Sequence, residues 1–595
     1  MKLPQLTTLS TSRDLVEVFG GYNHNLRINE GEFYDMKNLT SAYYPILAPR
    51  KPRGVFARTD SNPVGLIEKD ALCYVKEKSS NLYFVMNGSE YDLGMIDPKN
   101  EGVERSLTSM GAYVIVMPDK KYINTVDTSD KGNIEATYTS PKGASVTFDL
   151  CNADGTHYEA DYKGPDEPDT ATIDSGFIWL DTSQTPNALK KWSSTDKIWT
   201  SITSTYIKIG CAGIGTAFEE ADGVAISGVT VASLKEDINT DMVIIKKDDN
   251  YIVVIGILQE EVSAVQTDSI TVERLMPEMD FIIESNNRLW GCRYGLNRKG
   301  ETVNELYACK LGDFKNWTCY AGISTDSYYV PVGTDGQFTG AISYLGYPLF
   351  FKENCLHTVY GNYPAEYQIQ DTACRGVQKG SSKSLAMVNE VLYYKSRTGI
   401  CAYSGSLPVE VSSVLGEKAY SNAIACCHKG KYYISMKDVS NNEYVLFVCD
   451  TEKGLWHKED NLQVRAFCTV DEEIYYTDSE SNVIKTMFGS GTKDTAPISW
   501  MAETGIIGCS TPDKRYISRI SVKLSLDIGS SVLLSIQYDS SGVWETVSSL
   551  TGHSLRTFTL PIRPKRCDHF KLRFDGEGDV KIFSIAKITE QGSDV

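Results

Sequence analysis

Residues 421–459 contain, in order, Asn422-Ala423-Ile424-Ala425-Cys426-Cys427, His428-Lys429-Gly430, Lys431-Tyr432-Tyr433-Ile434-Ser435-Met436, Val439-Ser440-Asn441-Asn442, Tyr444-Val445-Leu446-Phe447-Val448-Cys449 and Asp450-Thr451-Glu452-Lys453-Gly454-Leu455-Trp456. Short runs rich in β-branched and aromatic residues alternate with Gly, Asn, Asp and Ser. That punctuation predicts four strands joined by three tight turns. The adjacent bulky pair Tyr432-Tyr433 marks the second strand.

Similar pairs recur outward from this stretch, at Cys73-Tyr74, Tyr113-Val114, Leu289-Trp290, Phe350-Phe351, Tyr393-Tyr394 and Tyr475-Tyr476. The later pairs are spaced by 60, 43, 39 and 43 residues, and the two early ones by 39. A repeat near 40–45 residues built only of short strands is the pattern of propeller blades, each a four-stranded sheet. The expected fold is therefore all-β: a β-propeller of six to eight blades, with seven favoured. A β-sandwich with accidental spacing is the competing reading. Composition agrees, with 35 Tyr against 19 Phe and 8 Trp, and 47 Gly to supply turns.

The 177 residues between Tyr113 and Trp290 are too many for one blade, so residues 133–280 read as an inserted β-rich domain. It holds an acidic stretch over 149–174, a hairpin module around Trp179, Trp192 and Trp199, and a second β unit ending in Tyr251-Ile252-Val253-Val254. The expected divisions are an extended N-terminal arm (1–56), a first propeller part (57–132), the insertion (133–280), a second propeller part (281–490) and a C-terminal β-sandwich (491–595). In the last, Ile520, Val522, Leu524 and Leu526 alternate with polar residues along one strand. The arm has a glycine-punctuated turn at Gly20-Gly21 and carries Pro45, Pro49 and Pro52, which exclude a helix. Such a segment cannot build its own core and is expected to lie on the next domain or on a neighbouring subunit.

Charge and composition exclude some functions. The 595 residues carry 59 Lys+Arg and 77 Asp+Glu, a net charge of −18. That balance is opposite to the basic surface needed to grip nucleic acid or an anionic membrane. The longest strongly apolar run, 251–258, is far short of the roughly 20 residues of a membrane span, and the first fourteen residues lack the apolar core of a secretory signal. The 15 cysteines contain no C-x-x-C and sit mostly in apolar runs, which predicts buried free thiols.

Site motifs are sparse. Gly489-Ser490-Gly491-Thr492-Lys493 has the composition of a phosphate-binding loop but not its spacing. No two of the seven histidines stand at helix-zinc spacing. The run from Asp149 to Glu159 has Cys151 and Ala153 where a calcium loop needs oxygen ligands. A glycosidase propeller would need two carboxylates across a pocket, but no pair stands out among 77 acids. The expectation is no cofactor, no metal and no catalytic residue.

Three stretches resemble a known family. Phe19-Gly20-Gly21-Tyr22-Asn23, Gly31-Glu32-Phe33-Tyr34-Asp35-Met36-Lys37-Asn38-Leu39 and Tyr44-Pro45-Ile46-Leu47-Ala48-Pro49-Arg50 resemble the opening of tailed-phage virion "stabilization proteins" of Firmicutes phages, and 563–595 resembles their end. Asn304-Glu305-Leu306-Tyr307-Ala308-Cys309-Lys310-Leu311-Gly312-Asp313-Phe314-Lys315-Asn316-Trp317 is also similar to the propeller of short-tailed-phage nozzle proteins. The resemblance implies a structural virion protein without enzymatic activity at the tail or head–tail region, assembled in the bacterial host cytoplasm. It implies a homo-oligomeric ring, a hexamer favoured, touching portal, adaptor or tail proteins, with DNA passing through it unbound and no membrane contact. The candidate assembly contacts are Phe19, Gly20, Gly21, Tyr22, Phe33, Tyr34, Tyr44, Pro45, Arg50, Arg53, Arg563 and Arg566. The alternative is a glycan-binding or glycan-cleaving propeller acting on the host surface.

Overall fold

The computed structural model describes residues 11–184, 187–202, 205–256, 263–493, 496–508, 515–563 and 565–591. It is nearly all-β, and its centre is a ring of seven blades. The blade read first from sequence is a four-stranded antiparallel sheet of Tyr420–His428, Lys431–Asp438, Tyr444–Asp450 and Leu455–Lys458, paired in that order. Each of the seven bulky pairs lies on the second strand of its blade: Ala71–Lys78, Tyr113–Met117, Arg288–Leu296, Tyr347–Lys352, Val391–Lys395, Lys431–Asp438 and Glu473–Thr477. We number these blades 1 to 7 in chain order.

The pairs have a physical reason. Neighbouring residues of a strand point to opposite faces, and each blade is covered on both faces by its neighbours. Tyr433 joins a core with Ile474 and Tyr476 of blade 7, while Tyr432 joins one with Tyr393 and Ile400 of blade 5. Phe350 packs with Trp290 of blade 3, and Phe351 with Tyr394 of blade 5. Leu289 faces Ile115 of blade 2. The ring closes where Tyr475 meets Leu72 and Tyr74 of blade 1. A strand buried on both faces reads as a continuous apolar run, not as strict alternation.

Closure is also made by hydrogen bonds. Blade 7 takes three strands from 466–486, and its next strand is Gly54–Arg58, which pairs antiparallel with Val483–Thr486. The N-terminal segment thus completes the last blade, sparing the ring an unpaired strand edge. The insertion leaves between blades 2 and 3. It is an eight-stranded sheet from Ala136–Thr139 to Thr271–Arg274, with a four-stranded sheet over 162–201 inside it and its own core of Phe148, Ile207, Ile209, Ile252 and Val254.

The C-terminal sandwich differs from the sequence expectation in one respect: it is built from both chain ends. Thr11–Val16 pairs with Val580–Gln591, and Glu32–Lys37 pairs with Ser499–Thr504. The expectation of an extended arm is corrected accordingly. The sandwich supplies open strand edges, so Thr11–Val16, Gly21–Tyr22 and Glu32–Lys37 become strands of that domain. Ile520, Val522, Leu524 and Leu526 all face the core, as their alternation predicts. Among the described residues no helix is long and apolar enough to cross a membrane, and 13 described cysteines, all but Cys567, are free thiols, 10 of them buried.

Sandwich and propeller are joined through blade 6. Phe19, Tyr22 and Phe33 share a core with Phe447 and Trp456. Beside it, Arg53 pairs with Glu459 at 2.9 Å and Asp460 at 2.7 Å, and Arg50 pairs with the same acids at 3.6 and 3.4 Å. Burial pushes the Glu459 carboxyl up while Arg53 and Arg50 pull it down. Removing one partner of a buried pair strands the other charge, at about 3–5 kcal/mol. Arg53→Ala is expected to lower the unfolding free energy from urea titration by about that amount, with Arg53→Lys intermediate; equal midpoints for Arg53→Ala and wild type would contradict the clamp.

His457 lies beneath the same segment, 4% exposed, and burial is the main cause that lowers its imidazole to about 3, with Lys431 adding to it. Its folded value is below the unfolded value of about 6.5, so between these values the unfolded chain binds the extra proton. The stability it contributes is complete above about pH 6.5 and is lost as pH falls towards 3. Calorimetric melting from pH 7 to 4 is expected to show a steeper fall for wild type than for His457→Gln; parallel curves would contradict this account.

Candidate functional site

The structure separates the twelve candidate contacts. Phe19, Tyr22 and Phe33 are buried at 3%, 3% and 1% exposure within the chain's own core. The Gly20 N–H donates to Gly31 at 2.8 Å, and Gly21 pairs with Glu32. Tyr34 stacks on His24 with ring centres 4.3 Å apart. Arg50 and Arg53 are held by Glu459 and Asp460. Phe19, Tyr22 and Phe33 are corrected as contacts to a neighbouring subunit, because the chain's own core buries them. Tyr44, Pro45, Arg563 and Arg566 are exposed.

The first strands of the blades surround the centre of the ring. A cavity of about 250 Å³ lies there, lined by Ser106, Met117, Phe281, Ala341 and Lys383 among others. Lys383, just ahead of the first strand of blade 5, pairs with Glu104 ahead of blade 2 and reaches the Arg465 carbonyl ahead of blade 7 at 3.4 Å. Asp280 is fixed by Arg293 and by the Tyr294 N–H, each at 2.8 Å. Glu104 is thus engaged in bridging blades, and Asp280 is held within blade 3. Asp539, Asp568 and His569 bring possible ligand atoms within 4.8 Å of one another in the sandwich. There Asp539 accepts the Asp568 N–H at 3.0 Å and the His569 ring meets Ser540 at 2.7 Å, contacts that fix a turn.

A different place has the features of a ligand site. A groove of about 630 Å³ runs between blades 3 and 4, lined by Tyr320, Ile323, Asp326, Tyr328, Tyr329, Tyr363 and Pro364 with their neighbours. That volume is within the usual range for small-ligand sites. Two loops make it. One joins Thr302–Ala308 to the last strand of blade 3, Tyr328–Pro331; the other joins Cys355–Tyr360 to Gln368–Ala373 of blade 4 and contains the short helix Pro364–Glu366.

The first loop is rigidly founded. Trp317 is buried, its Nε1 donating to the Phe314 carbonyl at 2.9 Å. Asn316 bonds the insertion twice, donating to Asp222 at 2.9 Å and accepting the Gly223 N–H at 2.8 Å. A Cβ at Gly223 would stand 2.8 Å from the Thr318 carbonyl carbon, so only glycine permits this approach. Below, the buried Arg288 guanidinium donates to the carbonyls of Cys309, Ser324 and Asp326 at 2.8, 2.9 and 2.6 Å.

The groove surface is aromatic and acidic. Tyr329 is 55% exposed and Tyr320 46%, with ring centres 6.0 Å apart in edge contact. Tyr328 packs on Trp290 and Tyr367, so the blade-3 pair marked in sequence supports the groove from beneath. Burial, with Asp241 and Glu305 nearby, raises the Tyr320 hydroxyl above its ordinary value. Asp326 is 5% exposed. Its Oδ2 accepts the N–H groups of Gly322 and Ile323 at 2.6 and 3.1 Å, but its Oδ1 is buried without a hydrogen-bond partner. Such an unmet acceptor costs about 1–3 kcal/mol. Sequence reading passed over these residues. Eight tyrosines fall between 320 and 367, but only four of them line the groove, and sequence does not separate these from the rest.

No protein-family model matches the chain, and no curated protein matches it. Among solved structures it is similar to an exo-β-1,3-galactanase from Phanerochaete chrysosporium, at 10% identity, covering 51% of this chain and 94% of that one, TM-score 0.22. It is also similar to Trypanosoma rangeli sialidase at 9% identity, covering 91% and 96%, TM-score 0.20, and to phage phi92 endosialidase at 10% identity, covering 93% and 74%, TM-score 0.16. All three are named as enzymes, and the expectation of a chain without enzymatic activity is withdrawn on that finding. Likenesses this distant assign no activity or substrate to the chain.

Proposed function

We propose that the chain is a glycan-recognising β-propeller whose ligand lies in the tyrosine groove of blades 3 and 4. One observation carries this reading: four tyrosines line a groove that also holds Asp326, a nearly buried acid with an unmet acceptor oxygen. Tyrosine rings offer flat apolar faces at low entropic cost, and those faces suit the C–H side of a pyranose ring. A carboxylate oxygen accepts from sugar hydroxyls in a charge-assisted bond. The two together fit a polyhydroxylated ring better than an apolar ligand or an extended peptide. Hydrolysis of a glycosidic bond would require a second carboxyl group; Glu366, which takes the Tyr363 hydroxyl at the groove's edge, is the acid to test beside Asp326.

Binding of the whole chain to a printed glycan array, followed by titration calorimetry on the best ligand, tests the proposal. Tyr329→Ala is expected to weaken binding about tenfold, or roughly 1.4 kcal/mol, with an unchanged melting temperature because the ring is exposed. An affinity unaltered by Tyr329→Ala would remove the groove from the reading. A chromogenic glycoside panel with wild type, Asp326→Asn and Glu366→Gln decides whether binding leads to cleavage.

A second reading, the structural virion protein, draws on a different observation. The segments at the two ends that carry the phage resemblance are far apart in sequence, yet the strands within 11–37 and the C-terminal strands form one sandwich. A resemblance that gathers into one domain supports a shared docking role for that domain, with Tyr44, Pro45, Arg563 and Arg566 as its exposed contacts. Mass spectrometry of purified phage particles from the same host checks it.

A further inference from the structure

We infer that the groove selects neutral glycans and discriminates against acidic ones, an inference that rests on the glycan reading above. The lining contains no Lys or Arg among its residues, and its one ionisable acid is Asp326. The edge adds Glu366, engaged by the Tyr363 hydroxyl. Asp241 and Glu305 act on the Tyr320 hydroxyl from the other side, with Lys299 set against Asp241. Arg288 is the cation under the floor. It is 1% exposed, and its two terminal nitrogens are spent on three main-chain carbonyls, so it cannot reach a ligand carboxylate.

A sialic acid or uronic acid is recognised by cationic donors, above all by the paired N–H groups of arginine. This groove offers acceptors and tyrosine hydroxyls instead. An anionic sugar would be brought next to Asp326 in a partly desolvated site, where like charges repel strongly. A neutral sugar meets no such opposition. The expected ligands are therefore neutral hexose or N-acetylhexosamine chains.

The test uses the full chain on an array of neutral oligosaccharides printed beside their sialylated and uronic-acid-bearing counterparts, at low and physiological salt. Wild type is expected to bind neutral features, and at least tenfold more weakly their acidic counterparts, with the gap wider at low salt. Asp326→Asn is expected to narrow that gap and Tyr329→Ala to weaken all binding alike. Should Asp326→Asn fail to fold by near-UV circular dichroism, Glu366→Gln at the exposed edge is expected to narrow the gap in the same direction. Acidic features bound as well as neutral ones, with that binding lost in Tyr329→Ala, would overturn the selectivity and leave the glycan reading standing. Silence across the whole array would overturn both.

Discussion

The ring depends on a two-sided burial rule. Every blade is covered on both faces, so each second strand must supply two adjacent bulky residues, one to each neighbour. Tyr432 and Tyr433 do this in blade 6, and Phe350 and Phe351 in blade 4. A single large residue would leave one inter-blade layer underfilled, and the cost of such cavities grows with their volume. The same rule demands closure, since an unclosed ring leaves the outer faces of its two terminal blades wet. Gly54–Arg58 meets that demand by pairing with Val483–Thr486 from the far end of the propeller.

Closure has consequences beyond the ring. To reach blade 7, the N-terminal segment must run along blade 6, and the path places Phe19, Tyr22 and Phe33 against Phe447 and Trp456. Arg50 and Arg53 then meet Glu459 and Asp460 where the segment turns into the propeller. The sandwich, the clamp and the last blade are thus one construction, built from residues that are hundreds apart in sequence.

The insertion contributes to the groove without lining it. Asp222 and Gly223 hold Asn316, and with it the loop that carries Tyr320 and Asp326. A long loop with exposed aromatic residues would otherwise be free to collapse its own tyrosines together. Here its base is fixed by Trp317, Asn316 and Arg288, so its tip keeps an open aromatic surface and an unmet acceptor.

Much of the propeller was legible in the chain, because burial on two faces leaves a local mark: two bulky residues in a row, repeated at blade spacing. The seven pairs from Cys73-Tyr74 to Tyr475-Tyr476 required no knowledge of what they touched. The fate of 11–58 was not legible in the same way. A segment that cannot make its own core shows that it needs a partner, but strand pairing is set by edges formed elsewhere, and Val580–Gln591 or Val483–Thr486 leave no sign in the segment that joins them. The groove was hidden for a related reason. The tyrosines near 320–367 look in sequence like the other pleated-sheet tyrosines, and only the meeting of two loops from neighbouring blades, one of them propped by the insertion, separates those that fill a core from those that face a ligand. Sequence by itself determined the repeat, because packing periodicity is local; tertiary structure decided the closure and the site, because both are made by contacts between residues far apart along the chain.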